Sequence, residues 1–249
     1  MFDQLTLTIF KTIFSRRDTK IFLSFCLLPI LVPVLSGSME ALDVDYTKSF
    51  LSFLEVTLQT QYRLTLPILI FSILISSVFR EEIDSGMMFL YKDIKRFHIF
   101  NSKIKGLLLI YALYLLGTSV ATMLTYYVFL VPKFGVSFNI VPVEYIAFVK
   151  SMLVIASTII LNVITVLVVT TVSVRAKTLP AVLSGVLFTL LTSIMPLLTG
   201  LKYLVPTTYA NSITQEGLMG NILVILGLFL GYSSICYFSA KERFEKMEF

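Results

Sequence analysis

Histidine, tryptophan and charged residues are scarce in this chain, and their scarcity excludes several classes of enzyme. The 249 residues include one His and no Trp, and only 14% are Asp, Glu, Lys or Arg. An intramembrane metalloprotease needs two His on a helix with a Glu base, which the single His98 does not supply. The sequence also lacks a Gly-x-Gly-x-x-Gly element and a Gly-Lys-Ser/Thr phosphate loop. We therefore expect no catalytic residues, no metal site and no cofactor bound by this chain.

Apolar segments, in contrast, are long and numerous, and 57% of the residues are hydrophobic. Six segments are long enough to cross a bilayer, whose hydrocarbon core of ~30 Å requires about 20 helical residues. They lie at approximately 21–36, 64–79, 106–131, 144–174, 179–199 and 218–238. Little of the chain remains outside them. The sequence therefore predicts an all-α membrane protein in which residues 1–249 form a single transmembrane domain.

Two further segments are amphipathic or broken and do not qualify as spans. Residues 1–17 place apolar side chains on one helical face, which predicts a helix lying in the membrane interface. The stretch before the sixth apolar segment is polar and interrupted, which predicts a short outer re-entrant hairpin there. Its candidate gating residues are Tyr203, Pro206 and Tyr209. The apolar face of the first helix holds Phe2, Leu5, Ile9, Phe10, Ile13 and Phe14.

Basic residues are distributed unequally between alternate loops, and this predicts the orientation of the chain. Fifteen of the 20 Lys and Arg residues lie in the lead, the second-to-third loop, the fourth-to-fifth loop and the tail. Loops rich in Lys and Arg stay in the cytoplasm. We therefore expect both termini inside, in a multi-pass protein of the cell membrane. This placement also indicates a topology signal rather than a nucleic-acid surface, so we expect no nucleic-acid partner.

The interior of the apolar segments carries few polar groups. No Asp, Glu, Lys, Arg or His lies near the middle of a segment, although ion-coupled carriers commonly keep such residues there. Asn162 is the most polar central side chain, and Tyr114 belongs to a set of aromatic residues. Both are candidates for a substrate path. The alternatives are an interhelical hydrogen bond for Asn162 and ordinary packing for Tyr114.

The second-to-third loop, residues 80–105, is the only long loop on the basic side. Acidic residues come first, a glycine and an apolar patch follow, and basic residues close it. This pattern predicts a short helix that contacts a partner, with a solvated connector resting on lipid headgroups as the alternative. The candidate partner-binding residues are Glu82, Asp84, Gly86, Met88, Phe89 and Arg96.

This loop and the layout of the whole chain resemble the permease subunits of ABC-2-type ATP-binding cassette exporters. The resemblance is carried by Glu82-x-Asp84-x-Gly86, by the apolar run at 87–90, and by Arg96 and Lys103. The amphipathic N-terminal helix, six spans and the element from Tyr203 to Tyr209 also fit. The resemblance implies a bacterial half-transporter that pairs with a second permease chain. A separate ATPase subunit, which would bind ATP and Mg, would dock on the loop.

The cargo and two rival functions remain open from the sequence. Aromatic, mostly apolar spans favour an amphiphile, a drug or an antimicrobial peptide as cargo over a long sugar chain. Export of an antimicrobial peptide would make the cell resistant to that peptide. The first rival is a polytopic membrane scaffold or assembly protein, which would bind no ATPase through its loop. The second is an ion-coupled secondary transporter, in which backbone carbonyls at proline breaks would bind the ion.

Overall fold

The computed structural model describes residues 2–35, 48–84, 95–213 and 217–246. Helix accounts for 88% of the structure and the described ranges contain no strand, which confirms the all-α class. The α-helices are α1 (Phe2–Ser15), α2 (Arg17–Ser24), α3 (Leu28–Leu35), α4 (Phe50–Arg63), α5 (Thr65–Ser76), α6 (Glu82–Asp84), α7 (Arg96–Leu124), α8 (Val131–Phe134), α9 (Tyr145–Arg175), α10 (Thr178–Ile194), α11 (Pro206–Asn211) and α12 (Leu218–Glu245). Turns of 3-10 helix occupy Phe25–Leu27, Met195–Leu197 and Leu201–Leu204, and π-helical turns occupy Ser77–Glu81 and Thr125–Leu130.

Four helices in the described ranges are long and apolar enough to cross a membrane. They correspond to the third to sixth apolar segments of the sequence. Each helix covers nearly all of its apolar segment, and some extend beyond it. Helix α9 has 31 residues and is therefore about 46 Å long. The four are Arg96–Phe134, Tyr145–Arg175, Thr178–Leu197 and Leu218–Glu245.

A bent pair of helices provides a fifth candidate span. The helices Phe50–Arg63 and Thr65–Asp84 are together long and apolar enough to cross a membrane, but they meet at an angle of 64°. Leu64 has extended backbone between them, which ends the first helix. Pro67 then falls in the first turn of α5, where a missing N–H costs no helical hydrogen bond. The stretch before the second apolar segment is thus helical, but it does not extend that span in a straight line.

The first apolar segment, predicted at 21–36, is broken in the structure. Its described part consists of α2, one 3-10 turn and α3, and it is not among the candidate spans. Pro29 explains the break, because it provides no N–H for the carbonyl of Phe25 four residues earlier. The described residues therefore contain four candidate spans, or five with the bent pair, and the sixth remains a prediction.

The candidate spans differ in how much of their surface other helices cover. Half of the most apolar window of α9 is buried inside the protein, whereas only 6% of the corresponding window of α12 is buried. Helix α9 packs against α4, α5, α10, α11 and α12, so it lies at the centre of the bundle. The apolar surface of α12 is left exposed, as expected of a helix that faces lipid.

The loops that were predicted to share one side of the membrane meet at one end of the bundle. Arg96 at the start of α7 donates to the carbonyl oxygen of Glu245 at the end of α12, at 2.9 Å. Arg175 at the end of α9 donates to Ser239 on α12. We call this end, which also holds Arg16, the basic end. At the opposite end, the residues before α9 contact the start of α4 through backbone hydrogen bonds.

The N-terminal helix packs on the bundle instead of lying apart from it. Ile9 and Ile13 are buried, and both lie against Gly106 on α7, where the missing side chain allows the two helices to approach closely. Leu7 and Phe14 are exposed, with 54% and 42% of their surface accessible. Some apolar side chains of α1 therefore contact α7, and others remain exposed on the surface, where they are available to lipid.

Candidate functional site

Arg16 lies in extended backbone at the break between α1 and α2. Its guanidinium donates through Nη2 to Glu82 Oε1 at 3.0 Å and through Nη1 to Ser77 Oγ at 2.9 Å. Oε2 of Glu81 is 3.7 Å from Nη1. A guanidinium carries five donors in a planar fork and can hold several acceptors at once. Through these contacts, the break between the first two helices is tied to the end of α5 and the π-helical turn that follows it.

Lys103 on α7 is a buried cation, with only 2% of its side chain exposed. Its Nζ lies 2.8 Å from Glu82 Oε2 and donates to the carbonyl oxygen of Val78 at 2.8 Å. The Nζ atom is also 5.3 Å from the centre of the Phe79 ring, within the range of a cation–π interaction. Burying an ammonium is costly unless it is paired and hydrogen-bonded. These contacts meet that requirement.

Glu82 connects the two cations, because one carboxylate oxygen accepts from Arg16 and the other contacts Lys103. Only 14% of its side chain is exposed. We call Arg16, Ser77, Glu82 and Lys103 the charged junction. It joins the α1–α2 break, the π-helical turn and α6 that follow α5, and the first third of α7 at the basic end. Losing one partner of a buried pair leaves an uncompensated charge, so the junction fixes the relative positions of these elements.

Asp84 and Arg96, which the sequence grouped with Glu82, lie outside the charged junction. Asp84 pairs with Arg80 one turn earlier at 2.7 Å, and 55% of its side chain is exposed. Arg96 holds the end of α12 through the carbonyl oxygen of Glu245. The loop leaves the described structure after Asp84 and returns at residue 95. Three of the candidate residues, Gly86, Met88 and Phe89, lie outside the described residues.

Aromatic side chains fill the space beside the charged junction. Phe79, Phe100 and Phe244 are fully buried, and their ring centres are 5.4 to 6.1 Å apart. They come from the π-helical turn after α5, from α7 and from α12. Rings at such separations interact favourably beyond the area that they bury. The charged junction is therefore packed next to a buried aromatic cluster to which the last helix, α12, contributes Phe244.

A second polar cluster, in the interior of the bundle, is centred on Gln61 of α4. Its Nε2 donates at 3.4 Å to the carbonyl oxygen of Phe25, which also accepts from the N–H of Leu28 in the 3-10 turn before Pro29. Its Oε1 accepts from the hydroxyls of Tyr114 at 2.9 Å and Thr118 at 3.3 Å. Gln61 therefore adds an interhelical hydrogen bond to the carbonyl at the break in the first segment.

Asn162 and Tyr114, the candidate path residues, line one cavity together with Gln61 and Tyr111. Asn162 donates through Nδ2 to the carbonyl oxygen of Thr158 in its own helix at 3.0 Å. The cavity has a volume of about 20 Å³, which is room for about one water molecule. The structure therefore brings the two residues together, but in a conformation too closely packed to hold a cargo molecule.

The stretch before α12 folds into a 3-10 turn and the short helix α11. Pro206 is the first residue of α11, where its fixed φ suits a helix start. The hydroxyl of Tyr209 donates to the carbonyl oxygen of Tyr203 at 3.1 Å, and that of Tyr232 on α12 donates to Leu204 at the same distance. Tyr203, Pro206 and Tyr209 thus belong to one small unit held against α12. Its depth in the membrane and its gating role stay predictions.

Sequence reasoning missed Arg16 and Gln61, which hold the two polar clusters. Arg16 lies in the basic lead and Gln61 lies outside the six predicted segments, so neither residue was a candidate. Pro29 is the available signal for Gln61, because a proline inside an apolar helix breaks the regular hydrogen bonds around it. Comparison with known proteins offers no further guide, since no family model, no curated protein and no solved structure matches the chain.

Proposed function

We propose that this chain is the membrane-spanning subunit of an ATP-driven exporter of the ABC-2 type. In this proposal a separate ATPase subunit binds ATP and Mg and hydrolyses the nucleotide, and the chain itself is not an enzyme. Two permease chains pair to form the translocation path in a bacterial cell membrane. Each chain crosses the membrane six times, with the broken first segment as one crossing and both termini in the cytoplasm.

The observation that carries the proposal is the anchoring of both ends of the loop between α6 and α7. Before the loop, Glu82 is held by Arg16 and Lys103. After it, Arg96 is held by the end of α12. A partner that pushed or pulled the segment from 85 to 94 would therefore act on α5, α7 and α12 together. This is the mechanical requirement of a loop that passes ATPase motion into a membrane bundle.

The charged junction also favours motion as a rigid body. Three helices, the π-helical turn and the α1–α2 break meet there through short contacts and buried aromatic rings. Packed elements of this kind move as units, and relative motion concentrates at breaks between them. Two such breaks lie nearby in the chain, the 64° bend between α4 and α5 and the 3-10 turn between α2 and α3. In the proposed cycle, ATPase movement reaches these breaks through the junction.

The proposed path runs along the Gln61 cluster, where Asn162 and Tyr114 meet, towards the α11 hairpin. Aromatic and hydroxyl groups predominate there, and they suit an amphiphile, a drug or an antimicrobial peptide. The small cavity represents a closed state in this proposal. Tyr203, Pro206 and Tyr209 would then control exit, because their unit lies against α9 and α12 at the opposite end from the junction.

The experiment that tests the proposal combines co-purification with an ATPase assay. The chain is purified from its native membranes as the wild type and as Gly86→Trp, which enlarges a loop residue that is not one of the four residues of the charged junction. We expect an ATPase to co-purify with the wild type and to be lost or uncoupled in the variant. Lys177→Trp is the matched control, because Lys177 is exposed in another loop at the same end.

Two outcomes would contradict the proposal. Purification of the chain without any ATPase would favour the scaffold or the ion-coupled carrier. Equal loss of ATPase in Gly86→Trp and Lys177→Trp would show that any bulky change at the basic end disturbs the protein, and the loop would then have no special role. A scaffold and a carrier are separated by uptake into proteoliposomes with and without an ion gradient.

A further inference from the structure

A basic cleft at the end of α9 and α12 takes no part in the proposed coupling and has its own chemistry. It has a volume of about 390 Å³, which is within the range of small-molecule sites. Four of its five lining residues are exposed, so it opens at the surface of the basic end. The lining residues are Arg175, Ser239, Glu242, Arg243 and Lys246.

The cleft has more positive than negative charge, and the two guanidinium groups carry the excess. Lys246 pairs with Glu242 one turn earlier on α12, so their charges offset each other. Arg175 reaches across from α9 and donates to Ser239, which fixes its side chain beside α12. Among the described residues, Arg243 has neither a hydrogen bond nor an ion pair. Two guanidinium groups facing one cleft are suited to a phosphate, which they can hold with paired hydrogen bonds.

An exposed apolar strip on α12 leads directly into this cleft. Ile235 and Phe238 are 70% and 62% exposed. Ile235 precedes Ser239 by four residues and Phe238 precedes Glu242 by four, so the strip and the cleft share one face of the helix. A free anion would use only the cleft. A phospholipid would use both, with its acyl chains on the strip and its phosphate between the guanidinium groups.

We propose that this cleft binds the headgroup of an anionic glycerophospholipid whose acyl chains lie along the exposed face of α12. Basic clefts at the ends of membrane helices attract such headgroups. The contact would add to the hydrogen bonds that Thr171 and Arg175 on α9 make to α12 near the basic end. The proposal does not depend on the exporter function, because it rests only on the cleft and the strip.

The test measures lipid retention by the full-length protein. The protein is released from micelles that contain phosphatidylglycerol and phosphatidylcholine in equal amounts, and bound lipid is counted by native mass spectrometry. We expect preferential retention of phosphatidylglycerol and a roughly fivefold weaker retention in Arg243→Gln, from the usual contribution of one basic residue at a membrane surface. Arg175→Gln/Arg243→Gln should lose the preference. Arg243→Gln should fold normally, since the side chain makes no hydrogen bond or ion pair with the described residues.

The matched control is Lys177→Gln, which removes one positive charge at the same end but outside the cleft. It should leave the preference unchanged. An equal loss in Lys177→Gln and Arg243→Gln would overturn the proposal, because the preference would then come from the net charge of that end. Inorganic phosphate is titrated in a separate arm. Arg243-dependent binding of phosphate without any preference for phosphatidylglycerol would overturn the assignment to a lipid.

Discussion

Removing the carboxylate of the charged junction should destabilise the protein far more than removing an exposed carboxylate two residues away. In Glu82→Gln, the ammonium of Lys103 stays buried with 2% exposure but loses its charged partner at 2.8 Å. Breaking a buried pair in this way costs about 3–5 kcal/mol. Asp84→Asn is the control, because its carboxylate is 55% exposed and pairs with Arg80 one turn away. An exposed pair of this spacing contributes roughly 0.5 kcal/mol or less.

A double variant separates the buried charge from other effects of the substitution. Glu82→Gln/Lys103→Met replaces the unpaired ammonium with an apolar side chain, so it should be more stable than Glu82→Gln alone. Arg16 tolerates both changes because 22% of its side chain is exposed and Ser77 remains as a partner. Free energies of unfolding would be measured by equilibrium denaturation in mixed micelles. Equal losses in Glu82→Gln and Asp84→Asn, or a double variant less stable than Glu82→Gln, would refute this reasoning.

Two further substitutions test the interior of the bundle. Gln61→Leu should cost roughly 1–2 kcal/mol of stability, because it removes the acceptor of two buried hydroxyls and one hydrogen bond to the Phe25 carbonyl. Gln59→Leu on the same helix should cost less, and an equal loss would contradict a bridging role. Gly185→Ala should cost about 1–3 kcal/mol, because its Cβ would lie 2.7 Å from Cγ2 of Val169. Gly227→Ala, which has open space around it, should be neutral or stabilising, and thermal unfolding of the two variants would show whether close packing decides the sign.

The helices at the centre and end of the chain could be predicted from hydrophobicity because each apolar segment is also one continuous helix. The first two segments are different, since local backbone chemistry breaks them. Pro29 removes an α-helical donor, and a 3-10 turn closed by Leu28 N–H to the Phe25 carbonyl takes its place, whereas the extended backbone at Leu64 produces the 64° bend. Hydrophobicity reports how much apolar surface a segment offers to lipid. It does not report whether the segment runs straight, which depends on single residues.

The charged junction was predictable in part, because acidic residues after the second segment and Lys103 before the third stood out in the sequence. Their pairing required knowledge of which helix ends meet. Arg16 shows the difficulty most clearly. It is adjacent to Arg17, which is exposed, yet the break between α1 and α2 directs only Arg16 towards Glu82. The two arginines have the same side chain and adjacent positions, and they differ only in the direction in which the backbone points that side chain.

The two polar clusters share one physical cause, and this bears on how the bundle can move. In each, a buried polar side chain donates to a backbone carbonyl where a helix departs from regular α geometry. Gln61 donates to Phe25 beside the proline break, and Lys103 donates to Val78 in the π-helical turn. Because each of these bonds joins two helices, a change of shape at either point must break the bond or move the partner helix with it. Changes of shape at the basic end and in the interior should therefore involve pairs of helices rather than single ones.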